Sequence, residues 1–251
     1  MTSLALGPVA DTRLGRINPV AQLTAIAVVT VVLLTSLDVV TPAVVVAAEL
    51  CLLPAAGLAR PRALWRRTWP LLLGAASVGV VNVLLSAGAD AGTGIGLALR
   101  VVGLSLPGVL LVATTDPVRL ADALTIHWRV PTRFAFGALA ALRLVPLLAG
   151  EFESVRLARR ARGVEARGPV ARARLFGGIV FALLVGAVRR GSRLATAMDA
   201  RGFDSGIPRT NARGSRLRRR DAAFVAATVA VCALAVAISV GTGAWHPVFS
   251  G

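Results

Sequence analysis

The stretch AAFVAATVAVCALAVAISV, residues 222–240, holds no charged side chain over its whole length. As a helix it would rise about 28 Å at about 1.5 Å per residue, close to the ~30 Å hydrocarbon core of a bilayer. The residues before it have the opposite character. Arg209, Arg213, Arg216, Arg218, Arg219 and Arg220 crowd the approach to the run. An apolar run entered through a basic block is the pattern of a membrane-spanning helix whose first end faces the cytoplasm.

Four more runs are long enough to cross a bilayer, at approximately 19–37, 41–58, 70–86 and 94–113. Composition agrees: 56% of the 251 residues are hydrophobic, against about 45–50% in soluble domains, and the mean hydropathy is +0.74. The expectation is an all-α, polytopic membrane protein with about five transmembrane helices. Two further apolar runs resist that assignment. Residues 134–150 contain Arg143 and Pro146 in their inner half, and residues 175–188 are too few to span upright.

Arginine placement orients the spans. All 28 basic residues are arginine and the formal net charge is +16. Arg13 and Arg16 precede the first run, and Arg60, Arg62, Arg66 and Arg67 occupy the second link. The first and third links, 38–41 and 87–93, carry none. Seventeen arginines then fall between 151 and 220. This alternation places the N-terminus and the 114–221 region in the cytoplasm, and the C-terminus outside. Letting 134–150 and 175–188 both span would export Arg156 through Arg174, against the same bias. The organisation expected is therefore 1–113 as transmembrane helices, 114–221 as a cytoplasmic module of amphipathic helices, and 222–251 as the last span with an external C-terminus. The N-terminal segment lacks the short apolar core and cleavage site of a signal peptide.

Within the module, Asp116-Pro117 and Pro131 mark helix starts. Leu175/Phe176, Ile179/Val180, Leu183/Leu184 and Ala187 recur at helical spacing, and arginines follow at 189, 190, 193 and 201. Residues 203–221 read as a loop. The tripeptide Ala-Arg-Gly occurs at 161–163, 166–168, 200–202 and 212–214. Ordinary capping produces such a sequence, because arginine in a last turn complements the helix dipole and glycine after it adopts the left-handed cap. Capping explains the glycine; it does not explain a matched pair, each ending an arginine-rich helix.

Dense similarity to a known family runs from about 112 to 203. Its carriers are Leu111-Val-Ala-Thr-Thr-Asp-Pro117, Pro131-Thr-Arg-Phe-Ala-Phe136, Ala141-Leu-Arg-Leu-Val-Pro-Leu147, Arg159-Arg-Ala-Arg-Gly163 and Ala197-Met-Asp-Ala-Arg-Gly-Phe203. In their order and spacing the chain resembles the T components of energy-coupling factor (ECF) transporters, the EcfT or CbiQ-like family. The resemblance implies a non-catalytic scaffold between a substrate-binding membrane protein, the S component, and two ABC-type ATPase subunits, serving uptake of vitamins or transition-metal ions. It implies ATPase docking by Ala161, Arg162 and Gly163 and by Ala200, Arg201 and Gly202. The copies at Arg167 and Arg213 fall outside the matched positions. Arginine suits the role, since it is always charged and presents a planar fork to carboxylates.

Other function classes fare worse. A phosphate-binding loop needs a lysine, and the chain has none, so ATP hydrolysis is expected in a partner. No catalytic triad or carboxylate pair stands out. His127, His246, Cys51 and Cys232 are scattered, so neither a metal nor another cofactor is expected. The alternative is a membrane-anchored basic protein binding nucleic acid or anionic lipid through the 209–220 block. That block lacks interleaved aromatics for base stacking, so nucleic acid is not expected as a partner; the lipid bilayer is. Intramembrane polar residues remain candidates for function: Glu49 and Arg100, which either pair or face a polar groove and the outer interface respectively. Asn82 is expected to make an interhelical hydrogen bond.

Overall fold

The computed structural model describes residues 12–36, 38–57, 61–85, 91–164, 168–203, 214–243 and 245. Eight α-helices follow a short 3-10 turn at Leu14–Arg16: α1 Pro19–Thr35, α2 Val40–Leu52, α3 Pro61–Leu85, α4 Ala91–Thr114, α5 Pro117–His127, α6 Thr132–Ala161, α7 Pro169–Ala200 and α8 Arg219–Gly241. No β-strand occurs among the described residues. The protein is an all-α, multi-pass membrane protein. Among the described residues, five helices are long and apolar enough to cross a bilayer.

The number five matches the expectation, but the membership differs. The qualifying segments are Thr68–Leu85, Gly92–Thr114, Thr132–Ala161, Pro169–Ala200 and Arg219–Gly241. α1 and α2 are shorter, at 17 and 13 residues. α2 stops early because Leu53–Gly57 turns through Pro54, and Gly57 takes φ +71°. The runs at 134–150 and 175–188 grow into helices of 30 and 32 residues, since neither Pro146 nor the intervening arginines end them.

The chain divides into two compact units, one of Ala5–Ala123 with Gly214–Gly251 and the other containing Leu124–Arg213. In the first, α1 and α2 each pack against both α4 and α8, and α3 packs on α4. Leu33, Val45, Cys232 and Ala235 are buried at the centre of this bundle. Gly79 and Gly94 let the α3 and α4 backbones touch: a Cβ at Gly79 would lie 2.8 Å from the Gly94 carbonyl oxygen. Asn82 does not bridge helices. Its amide donates to the Val78 carbonyl one turn back in α3, 3.0 Å away, so the close glycine crossing is made without it.

Two buried carboxylates tie the ends of this bundle. Asp221, in the first turn of α8, accepts the Asn18 N–H at 2.8 Å and the Arg218 N–H at 2.7 Å. Asn18 in turn caps α1 by accepting the Val20 N–H at 3.0 Å. At the other end Asp38 accepts the Thr41 N–H at 2.7 Å, the Thr41 hydroxyl at 2.8 Å and the Ser239 hydroxyl at 2.5 Å. Burial works against the Asp38 charge, but the hydrogen bonds from Ser239 and Thr41 outweigh it and hold the carboxyl below its ordinary range. α1 and α8 therefore run parallel, clasped at both ends.

In the second unit, α6 and α7 form an antiparallel pair. Phe136 near the start of α6 meets Phe203 just past α7, edge to face with ring centroids 6.4 Å apart. Phe152 meets Phe176 at 5.8 Å. The Arg190 guanidinium grips both carboxylate oxygens of Glu151, with Nη2 to Oε2 at 2.6 Å. The pair has almost no core of its own, with only Ala135, Leu139 and Ile179 buried within the two helices.

Candidate functional site

Both expected docking motifs end long helices, and both end them in the same way. α6 terminates at Ala161, with Arg162 in the cap position at φ −86°, ψ 9°. Gly163 follows at φ +73°. Its N–H donates to the Arg160 carbonyl at 3.0 Å, and the Val164 N–H donates to the Arg159 carbonyl at 3.0 Å. α7 terminates at Ala200, with Arg201 at φ −89°, ψ 10° and Gly202 at φ +72°. There the Gly202 N–H donates to Asp199 at 2.9 Å and the Phe203 N–H to Met198 at 3.2 Å. These paired bonds close a helix on a left-handed residue and satisfy its last carbonyls, and glycine is the residue that takes that conformation without strain.

The consequence for the arginines is positional. Each occupies the last site before its helix closes on glycine, and both Arg162 and Arg201 are exposed, as are Ala161 and Ala200. The antiparallel pairing then separates them. Phe136 to Arg162 is 26 residues along α6, and Leu175 to Arg201 is 26 along α7. At about 1.5 Å per residue, the two guanidinium-bearing ends stand about 40 Å apart, at opposite ends of the helix pair.

Neighbouring arginines have a different task. Arg159 sends Nη1 to the Leu175 carbonyl at 3.3 Å and Nη2 to the Gly178 carbonyl at 3.4 Å. Gly178 leaves room for it, since an added Cβ would lie 3.3 Å from Arg159 Nη1. Arg190 is taken by Glu151. Beside the second motif, Arg133, Phe134, Leu144, Leu194, Met198 and Phe203 line part of a cavity of about 380 Å³. Arg167 and Arg213 lie outside the described residues.

With this geometry in view, comparison with known proteins identifies the chain's relatives. A family model described as CbiQ, cobalt transport protein, matches residues 11–211. The chain belongs to the CbiQ family.

Curated relatives in this family carry the name energy-coupling factor transporter transmembrane protein EcfT. The one from Exiguobacterium sibiricum is 37% identical over 136 residues, 51% of this chain and 52% of its own length. The one from Bacillus subtilis is 31% identical over 150 residues, 56% of this chain and 57% of its own. A protein of Bifidobacterium longum named as an ABC transporter ATP-binding protein is 29% identical over 143 residues, 52% of this chain but 18% of that protein. The chain spans about half the length of the EcfT relatives it matches. Both exposed arginine ends fall inside the region matched by the CbiQ model, and the whole of α8 lies beyond it.

The intramembrane candidates are not brought together. Glu49 in α2 is 5% exposed, and neither of its carboxylate oxygens has a hydrogen-bond partner, so Arg100 does not serve it. Arg100 is half-buried in α4. Sequence reading also missed the carboxylates that hold the fold, Asp38, Asp221 and Glu151. Each sits at a helix end or on an arginine-rich helix, where a single acidic residue reads as ordinary capping or a solvated charge.

Proposed function

We propose that this CbiQ-family chain is the non-catalytic transmembrane coupling subunit of an ECF-type ABC importer. In this reading it transmits ATP-driven motion from two ATPase subunits to a substrate-binding S component, for uptake of a vitamin or a transition-metal ion. The observation that carries the reading is the matched pair of helix ends. Arg162 and Arg201 each project from a glycine-closed terminus, about 40 Å apart by helix rise. Two equivalent ends at that separation suit two equivalent partners better than one continuous surface. The likeness between half of this chain and part of an ABC ATP-binding protein supports ATPases as those partners.

In mechanism, each arginine enters an acidic groove of one ATPase. The flanking alanine and glycine keep the approach of the two backbones unobstructed. When the ATPases close on ATP and reopen, the two grooves change separation, and a helix pair with so little core slides instead of breaking. ATP is bound and hydrolysed in the partners. The test is the identity of proteins that co-purify with the chain in mild detergent. Two ABC ATPase polypeptides and a small membrane protein are the expected result; nucleic acid or anionic lipid alone would favour the basic-anchor alternative.

The length and apolarity of α6 and α7 favour a second topology, in which both cross the bilayer as a hairpin. The proposal keeps them on the cytoplasmic side, with the N-terminus cytoplasmic and the C-terminus external, because a hairpin would export the arginines around residues 156–174. A cysteine in place of Val164 decides between them. Labelling from the cytoplasmic side is expected, and labelling only from outside would establish the hairpin.

A further inference from the structure

Glu49 lies in a place where a carboxyl is out of keeping. It lines a cavity of about 160 Å³ within the α1, α2, α4 and α8 bundle, together with Ala25, Val45, Leu110, Phe224 and Cys232. The residue is 5% exposed, and both carboxylate oxygens are buried without a hydrogen-bond partner. Unpartnered carboxylates are costly in such surroundings, and intramembrane carboxyls commonly mark a site of use.

The other polar groups of the cavity are already engaged. Gln22 donates through Nε2 to the Leu14 carbonyl at 3.0 Å, and its Oε1 accepts the Thr115 hydroxyl at 3.1 Å. The Thr228 hydroxyl donates to the Phe224 carbonyl at 3.0 Å. Glu49 therefore holds two unpartnered, buried acceptor oxygens in the wall of an otherwise apolar space. No group of three or more potential metal-ligating side chains exists among the described residues, so a metal ion would lack further ligands here. An anion has the wrong sign. The complementary ligand is apolar in body and carries several N–H donors and positive charge at one end.

We propose that this cavity is a binding site for a small lipophilic amine, its ammonium against the Glu49 carboxylate and its apolar body against Val45, Leu110 and Phe224. The volume fits, since an apolar protein cavity of about 150 Å³ takes up benzene. A primary ammonium gives a hydrogen bond to each oxygen and balances the charge. A neutral alcohol of the same shape offers a single donor. The site shares no residue with the two arginine ends, so it stands or falls independently of the coupling role.

The test is a fluorine NMR titration of the full chain in phosphatidylcholine nanodiscs at neutral pH, with empty discs as the blank. The probes are 4-fluorobenzylamine and 4-fluorobenzyl alcohol. Saturable amine binding at least tenfold tighter than alcohol binding is expected, and Glu49→Gln should erase that preference. Ala48→Leu, which narrows the same cavity and leaves the carboxyl in place, should weaken both probes. Equal affinity for the two probes, a preference that survives Glu49→Gln, or no saturation beyond empty discs would overturn the site. If Glu49→Gln fails to assemble, the wild-type protein decides through Cys232, which lines the cavity and is 3% exposed. Mass spectrometry should find that, at equal concentration, the amine protects Cys232 from a small thiol reagent more strongly than the alcohol does. Equal protection would count against the proposal.

Discussion

The left-handed closure of α6 rests on one backbone position, Gly163. It holds φ +73°, and nothing lies within 4 Å of where a Cβ would be. Alanine there meets no clash; it meets the conformational cost of a left-handed L-residue, about 1–2 kcal/mol. Gly163→Ala is therefore expected to leave the protein assembled and to loosen the last turn of α6, weakening ATPase retention less than loss of the Arg162 charge. Retention measured on an affinity column checks the order. Asp38 offers a separate residue-scale prediction. Its folded pKa lies below the ordinary value near 3.9. A depressed pKa means that the folded state binds the proton more weakly than the unfolded chain does. The stabilisation is thus fully present above about pH 4–5 and fades as pH falls through the folded value. Asp38→Asn should lower the melting temperature at pH 7 and shrink the drop in melting temperature between pH 6 and pH 3. An unchanged acid limb would assign that drop to other carboxyls.

At the scale of elements, the α6–α7 pair depends on a few specific contacts because its apolar residues point mostly outward. Phe181 is 70% exposed and Val188 69%. Glu151 and Arg190 form a two-pronged ion pair between these helices. Reversing either charge alone should disturb the pairing of α6 with α7, and the double exchange, Glu151→Arg with Arg190→Glu, should restore it in part. Cross-linking between cysteines at Phe152 and Phe176 reports the pairing; a double exchange no better than the single ones would show that the ion pair is incidental. The helical class and the helix starts at Pro117 and Pro131 were legible in the sequence, because proline and apolar periodicity act locally. The length of α6 was not, since Pro146 and Arg143 read as interruptions and the helix carries both. The early end of α2 was equally hidden, because a turn through Pro54 within an apolar run leaves the hydropathy unchanged. The arginine ends were legible through their repetition together with the family resemblance that singles out two of the four copies, whereas the fate of Glu49 depended on which helices surround it, and hydropathy does not encode that.

For the molecule as a whole, two kinds of burial divide the work. One unit ties its helices with carboxylates at both ends and packs a core; the other offers long, weakly covered helices that finish in exposed arginines. Under the proposed function the first unit would anchor in the membrane and the second would move, and the CbiQ family places the chain in transport. Under the proposed function Arg162 and Arg201, as opposed to positive charge in general, hold the ATPases. A buried charge-assisted contact costs about 2–5 kcal/mol when one partner is removed, whereas a change at a solvated arginine stays within about 0.5 kcal/mol. The direct measurement is co-purification of the ATPases with four charge-reversed variants, each compared with the wild-type chain at equal membrane insertion. Arg162→Glu combined with Arg201→Glu should abolish co-purification, and each of the two alone should weaken it in part. Arg167→Glu combined with Arg213→Glu should retain the ATPases at close to the wild-type level. Equal loss in both double variants would contradict the account and leave general positive charge as the explanation.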